Sequence, residues 1–296
     1  MHPEVTPFFH AASSTWSYVV SDAGSGMAVV IDPVLDFDYA AGSASTTSAA
    51  AIVAHVRGAR LRVEWILETH AHADHLTAAP FLKRSLGGRI AIGAGIRAVQ
   101  AHFAAVLGLE PGFRSDGSQF DHLFADGERF TVGAIAAQAL GAPGHTSDGL
   151  AYRIGDALFV GDSLFMPDVG TARCDFPGGD AGVLYDSIRR LLALAADTRI
   201  CVCHDYPPPD REPRCQTTVR EQRTANIHVR DGIDRDAFIA MRTARDRTLG
   251  MPNLLYPAIQ VNVRAGHLPP SELNGVAYLK IPLTPAAGAA ETAADR

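Results

Sequence analysis

The sequence predicts an α+β protein in which two β-sheets are covered by helices. Three observations carry this expectation. Strand-like runs come in groups, with helical segments between and after them, which argues against an alternating doubly wound sheet. The 296 residues are 47% hydrophobic and 20% charged, enough apolar material for one large domain with a sizeable core. No self-similarity at solenoid periods runs along the chain.

The chain opens as a β-meander of Val5 to Phe9, Trp16 to Val20 and Met27 to Ile31, broken by turn residues that include Asp22-Ala-Gly-Ser-Gly26. Residues 41–50, rich in Ala, Ser and Thr, read as a loop feeding a helix at Ala51 to Val56, which Gly58 terminates. Val63 to Glu68 is then a buried strand that runs directly into Thr69-His-Ala-His-Ala-Asp-His75. Thr77 is placed to cap a helix in which Leu82 and Leu86 share a face, and Gly87-Gly88 stops it before a strand at Arg89 to Ile92. Strand signals recur at Glu128 to Val132, Ile135 to Leu140, Leu150 to Ile154 and Ala157 to Val160, the last two joined by the hairpin turn Gly155-Asp156. Asp180 is placed to cap a helix whose Leu184, Ile188, Leu191 and Leu192 fall on one face. Arg199 to Cys203 is the next strand, and Thr217 to Leu249 is mostly helical.

Charge and cysteine usage narrow the function. Twenty-six Lys and Arg against 32 Asp and Glu leave a net charge of -6, and no basic run has the length of a nucleic-acid tail or lipid anchor. Nucleic acid is therefore a poor partner. Cys174, Cys201, Cys203 and Cys215 show no repeating framework, which suits a reducing compartment. The N-terminus has no basic-then-apolar leader pattern, and no apolar stretch approaches the roughly 20 residues of a membrane helix. The expectation is a cytoplasmic protein without a membrane partner.

In Thr69-His70-Ala71-His72-Ala73-Asp74-His75, three imidazoles and a carboxylate follow a strand, where an irregular loop folds them inward. Such donors suit Zn, Fe, Mn or Ni, whereas calcium takes oxygen only. Three more candidates each follow a strand-like run: His145 in Pro143-Gly-His-Thr-Ser147, Asp162 in Phe159-Val-Gly-Asp162, and His204 in Cys201-Val-Cys-His-Asp205. Strand ends gathered on one edge of a sandwich place all seven around one cleft. The other histidines, His2, His10, His55, His102, His122, His228 and His267, read as ordinary surface or core residues. Gly93-Ala-Gly95 lacks the third glycine and the acidic partner of a dinucleotide fingerprint, and no Gly-x-Ser-x-Gly elbow occurs. Cys201 and Cys203 alternate along a strand, which favours core packing over chelation.

This pattern resembles the metallo-β-lactamase superfamily over about residues 1–206. The resemblance implies a four-layer αβ/βα sandwich with its metal site at one edge of the two sheets. Seven donors hold two metals in hydrolases of this kind, such as the dizinc glyoxalase II that cleaves acyl-glutathione thioesters. Three of them, His70, His145 and Asp162, instead form a two-histidine, one-carboxylate set for one iron. Ligand types alone leave both outcomes open.

Beyond Asp162, four stretches are similar to the persulfide dioxygenase family: Asp168-Val-Gly-Thr-Ala-Arg173-Cys174-Asp175-Phe176, His204-Asp205-Tyr206, Glu221-Gln-Arg-Thr224 and Met251-Pro-Asn-Leu-Leu-Tyr-Pro-Ala-Ile-Gln-Val-Asn262. The similarity implies a single catalytic domain over 1–282, with a helical and extended C-terminal segment from about 207, and a tail at 283–296 that frays. It implies oxidation of glutathione persulfide by O2 to sulfite and glutathione, at one Fe(II) on His70, His145 and Asp162. His72, Asp74, His75 and His204 then orient ligands and move protons. Arg173 is implied as the cation for glutathione's carboxylates, competing with a purely structural pairing to Asp175, and Tyr206 as a residue closing the site. Arg223 and a reactive Cys174 are weaker candidates, and self-association into a homodimer is implied by the family alone.

Overall fold

A computed structural model of the chain describes residues 2–283. The tail expected to fray therefore lies, Leu283 apart, outside the described residues. The first half runs β1 (Glu4–His10), β2 (Thr15–Asp22), β3 (Met27–Ile31), β4 (Val34–Asp38), β5 (Ser43–Ser45), α1 (Thr47–Gly58), β6 (Arg62–Leu67), β7 (Leu76–Thr77), α2 (Ala79–Leu86), β8 (Arg89–Gly93), α3 (Ile96–Leu107) and β9 (His122–Phe124). The second half follows as β10 (Arg129–Val132), β11 (Ile135–Gly141), β12 (Leu150–Ile154), β13 (Ala157–Phe159), α4 (Ala181–Leu191), β14 (Arg199–Cys201), β15 (Gln216–Thr218), α5 (Val219–Ala225), α6 (Arg235–Asp246) and α7 (Leu255–Asn262).

One sheet has the order β1-β2-β3-β6-β8-β9 and the other β10-β11-β12-β13-β14-β15. The first three strands pair antiparallel, as a meander must, and β3, β6, β8 and β9 pair parallel through helical or long connections. Strand alternation explains the four layers. Tyr18, Val20, Val29, Ile31, Trp65 and Leu67 face the second sheet, meeting Ala137, Ala139, Tyr152 and Phe159. Their neighbours Val19, Val30, Ile66 and Ile90 point outward onto Ile52, Leu82, Val99 and Phe103 of α1, α2 and α3. On the far side, Ala151, Leu158 and Ile200 meet Leu184, Ile188 and Leu191 of α4 and Phe238 of α6. Burying each such Leu, Ile or Phe stabilises the fold by about 1.5–3 kcal/mol.

Two tyrosines tie the sheets together at the edge where the metal-ligand motifs converge. Tyr18 of the first sheet donates to the carbonyl of Val202 at 2.6 Å, and Tyr152 of the second donates to the carbonyl of Glu68 at 2.9 Å. Both hydroxyls are buried, so each crossing bond fixes the depth at which a strand end meets its neighbour.

Several elements differ from expectation. Within the Ala- and Ser-rich stretch, β5 pairs with β4, and Asp36 of β4 accepts the Ser48 N–H and hydroxyl, which starts α1 earlier than its apolar residues announce. Thr77 does bond the N–H of Ala79 from just outside α2, and Asp180 caps α4 through Val183 N–H. The region 217–249 is not one helix. Asn226 accepts the N–H groups of His228 and Val229 and so ends α5, while Asp234 starts α6. No local pattern marks α3, and α7 lies inside the C-terminal segment expected only as helical and extended.

Candidate metal centre

The loop Glu68–His75 leaves the first sheet at the end of β6, and its fold is set by buried acids that lie far away in sequence. Asp32, at φ 47° just after β3, accepts the N–H and hydroxyl of Thr69 at 2.7 and 2.9 Å. Asp148 accepts the N–H of Ala71 at 2.8 Å. Asn262 of α7 donates to the carbonyls of His72 and His75 and accepts the N–H of Thr77. The second sheet supplies the remaining donors. His145 follows β11, Asp162 sits in a single helical turn after β13, and His204 follows β14. Gly144 and Gly161 precede two of them at φ 131° and 51°, and a Cβ there would fall 2.3 Å from the α4 backbone or 2.7 Å from the Thr69 hydroxyl. These contacts explain why Gly-His and Gly-Asp are the local motifs.

All seven predicted donors meet at this edge, in two adjoining sets. His70, His145 and Asp162 form one, and His72, Asp74, His75 and His204 the other, with donor atoms in each set within 4.8 Å of one another. Every imidazole has one nitrogen tethered. His145 Nδ1–H donates to the Arg173 carbonyl at 2.7 Å, His75 Nδ1–H to the Leu76 carbonyl at 3.2 Å, and His72 Nε2–H to Asp32 at 3.0 Å. His70 Nδ1 and His204 Nδ1 meet the hydroxyls of Thr69 and Thr15. The opposite nitrogens of His70, His72, His75 and His204 are buried without a hydrogen bond, as are one oxygen each of Asp74 and Asp162. His204 Nε2 lies 3.2 Å from Asp74 Oδ2 and 3.4 Å from Asp162 Oδ1, outside hydrogen-bond geometry to either.

Six orphaned buried polar atoms, shared between the two sets, would cost several kcal/mol in an apolar interior. They fit a divalent cation with nitrogen and oxygen ligands. For His70, His72 and Asp74 the electrostatics agree. Burial, then neighbouring imidazoles, lowers the pKa of His70 and His72 well below the ordinary value, leaving them neutral and able to ligate. Burial opposes ionisation of Asp74, but His204, His75 and His72 outweigh it and hold Asp74 low. Burial pushes Asp32 up to about 6 despite the Thr69 bonds, and burial with Asp32 beside it raises Glu68 well above the carboxylate range.

A cavity of about 580 Å³ opens onto His145, Asp162 and Asp74, with Phe165 and Phe176 among its walls. A second, of about 710 Å³, reaches Asp74 and His75 from the other side of Tyr206, which borders both. Tyr206 is half exposed and stacks on His204, with ring centroids 5.7 Å apart and planes 11° from parallel. Arg173 lines the first cavity, but its guanidinium grips Asp175 through Nε at 2.5 Å and Nη2 at 2.7 Å, and donates to the Gly250 carbonyl at 2.6 Å. Arg223 pairs with Asp231 away from both cavities. Cys174 is buried, its thiol pushed up to about 12 chiefly by burial, which leaves it unreactive. Sequence reasoning missed Asp32, Asp148 and Asn262. Asn262 closes the stretch Met251–Asn262 already singled out, but with no role assigned to it, and Asp148 stands just past Pro143–Ser147.

A sandwich of two sheets with imidazole and carboxylate donors at its edge defines a metal-dependent enzyme. Residues 11–204 match the sequence profile of the metallo-beta-lactamase superfamily, and the chain belongs to it. It is 50% identical to a probable metallo-hydrolase of Burkholderia pseudomallei over 94% of this chain and 98% of that one. It is 46% identical to glyoxylase B2 of Dictyostelium discoideum over 95% of this chain and 97% of that one. More distantly, it is 28% identical to the mitochondrial persulfide dioxygenase ETHE1 of Homo sapiens over 87% of each chain. Among solved structures it resembles ETHE1 from Myxococcus xanthus, with a TM-score of 0.71 and 28% identity over 89% of this chain and all of the other. No helix among the described residues is long and apolar enough to cross a membrane.

Proposed function

We propose that the chain oxidises glutathione persulfide with O2 to sulfite, returning glutathione, using one iron(II) held by His70, His145 and Asp162. The observation that carries this reading is the convergence of two imidazoles and one carboxylate, with Asp162 and His145 opening on the cavity of about 580 Å³. Iron bound by such a set supplies open positions for a thiolate and for dioxygen. In the overall balance both atoms of O2 pass to the terminal sulfur, water adds the third oxygen of sulfite, and the S–S bond breaks to give the glutathione thiol.

The chain's own part is positioning. The Arg173 carbonyl fixes the tautomer of His145, so that Nε2 faces the centre. Phe165, Val169 and Phe176 give the cavity an apolar wall that excludes water from the reacting sulfur. His204 Nε2 lies 3.2 Å from Asp74 and 3.4 Å from Asp162, near enough to orient both carboxylates electrostatically. Arg173 and Tyr206 border the substrate, Arg173 with its charge already shared with Asp175. Four free thiols suit the reducing compartment that this chemistry needs, and we assign the cytoplasm.

A second reading is favoured by the four-donor set of His72, Asp74, His75 and His204 and by the hydrolase names of the nearer relatives. In it the chain holds two zinc ions and hydrolyses acyl-glutathione thioesters. Elemental analysis of the purified protein, with oxygen uptake on glutathione persulfide and cleavage of lactoyl-glutathione measured on the same sample, separates the two. The proposal expects about one iron per chain, persulfide-dependent oxygen consumption, and loss of both metal and activity in Asp162→Ala. About two zincs per chain, thioester cleavage and no oxygen uptake would transfer the site to the second reading.

A further inference from the structure

Three arginines line the cavity that opens onto His145 and Asp162, and their guanidinium groups have different surroundings. Arg173 is held by Asp175 and the Gly250 carbonyl. Arg242 on α6 is 1% exposed, bonded to Asp246 through Nε at 2.8 Å and to the Thr171 carbonyl at 3.1 Å. Asp246 also accepts the N–H of Cys174 at 2.9 Å, so this pair pins α6 against the 171–174 segment that walls the cavity. Arg245 stands one turn along from Arg242 on the same helix face. It is exposed, it borders the cavity, and among the described residues its guanidinium makes no ion pair or side-chain hydrogen bond.

The neighbourhood makes that charge available to a ligand. Asp168, at the same cavity, is gripped by Arg211, and Asp175 by Arg173. Ile227 and Leu249 supply apolar surface at the rim beside it. His228, packed under Gly170, accepts the Thr171 N–H at 3.0 Å and stays neutral. Its pKa falls to about 4 through burial first, then Arg242 and Arg245, which reports a positive local field. A carboxylate entering here meets a planar fork of donors on a braced helix, with no acid of the protein already bound to it.

We infer that Arg245 receives a carboxylate of the thiol peptide whose sulfur is presented to His145 and Asp162, which line the same cavity. The inference rests on the glutathione part of the proposed function and is indifferent to which reaction follows. Arg173 then shapes the wall and orients His145, and Arg245 supplies the charge that selects an anionic peptide.

The test compares holoenzyme with its Arg245→Ala and Arg245→Lys variants, titrated calorimetrically with glutathione and with glutathione diethyl ester. The expected result is about tenfold weaker binding of glutathione to Arg245→Ala, partial recovery in Arg245→Lys, and no change for the diester. KM for the glutathione substrate rises by the same factor, with kcat and metal content unaltered. Equal weakening for both ligands, no weakening for either, or no glutathione binding to the unaltered enzyme overturns the assignment. Failure of the dioxygenase reading shows elsewhere, as absent oxygen uptake in the unaltered enzyme, and leaves the comparison of acid with ester intact on lactoyl-glutathione.

Discussion

Each imidazole of the centre is useful because its other nitrogen is occupied, by a neighbouring residue for His70 and His75 and by distant parts of the chain for the others. His72 depends on Asp32, and His145 on a carbonyl 28 residues away. Replacing Asp148 by Ala strips the acceptor from the Ala71 N–H inside the ligand loop, which costs about 1–3 kcal/mol of stability. Urea unfolding measures this, and an unchanged midpoint would show that the loop does not need the bond. His228 allows a second residue-scale prediction. Burial and two arginines lower its pKa to about 4 from an ordinary 6.5, so between these values the unfolded chain binds more protons than the folded one. Its contribution to stability is full above pH 6.5 and fades as pH falls toward 4. His228→Asn keeps an acceptor near Thr171 but cannot titrate, so the drop in Tm across this window should shrink relative to the unaltered chain. Parallel pH profiles for the two proteins would refute it. At this scale the ligands were legible because His-x-His-x-Asp-His packs chemically unusual residues close together. Asp32 was not, and Asn262 stood in a quoted stretch without a role, since one acid or amide carries no local sign of a partner tens or hundreds of residues away. Arg173 stands out only through the family resemblance, which implies a substrate cation, and its guanidinium is held by Asp175 two residues on.

At the level of elements, α7 is more than a C-terminal appendage. Its residues Leu255 and Ile259 join the apolar layer outside the first sheet, which holds Asn262 against the ligand loop. Removing the amide in Asn262→Ala breaks bonds to His72, His75 and Thr77 at once. Metal affinity should fall about 10- to 100-fold, the usual effect of losing a group that orients ligands. Competition against a chromogenic chelator measures it, and an affinity equal to that of the unaltered enzyme would reduce α7 to packing. The sequence pattern showed α4 well because Leu184, Ile188, Leu191 and Leu192 alternate with charge and an Asp caps the start. It hid α7, which is buried nearly all round, so no polar face marks a period. It also hid α3, whose N-terminus follows the Gly93-Ala-Gly95 turn. There the glycines allow close backbone contact, since a Cβ on Gly93 would lie 2.6 Å from the Asp148 carbonyl.

Over the whole molecule, the two-sheet plan was readable from the grouping of strands, but strand order was not. The parallel neighbours β3, β6 and β8 are separated by long connections through α1 and α2, and nothing local states which strand a returning chain will join. Once formed, the sandwich stands largely apart from its metal site. The inter-sheet core of Tyr18, Ile31, Leu67, Tyr152 and Phe159 contains none of the seven ligands. The site, by contrast, gathers four imidazole nitrogens and two carboxylate oxygens without partners, so a bound cation relieves a burial cost that the core does not share. Chelation should therefore leave the far-UV circular dichroism spectrum unchanged while lowering Tm by about 10 °C, the scale expected when a ligand present at ~1,000 times its Kd is withdrawn. Readdition of metal should restore Tm without a refolding step. Collapse of the spectrum on chelation would mean instead that the site organises the sheets, whereas an unmoved Tm would mean that the orphaned donors find other partners. The expected outcome sets stability and chemistry in different layers of one fold: strand faces build the core, and loops at strand ends carry the ligands.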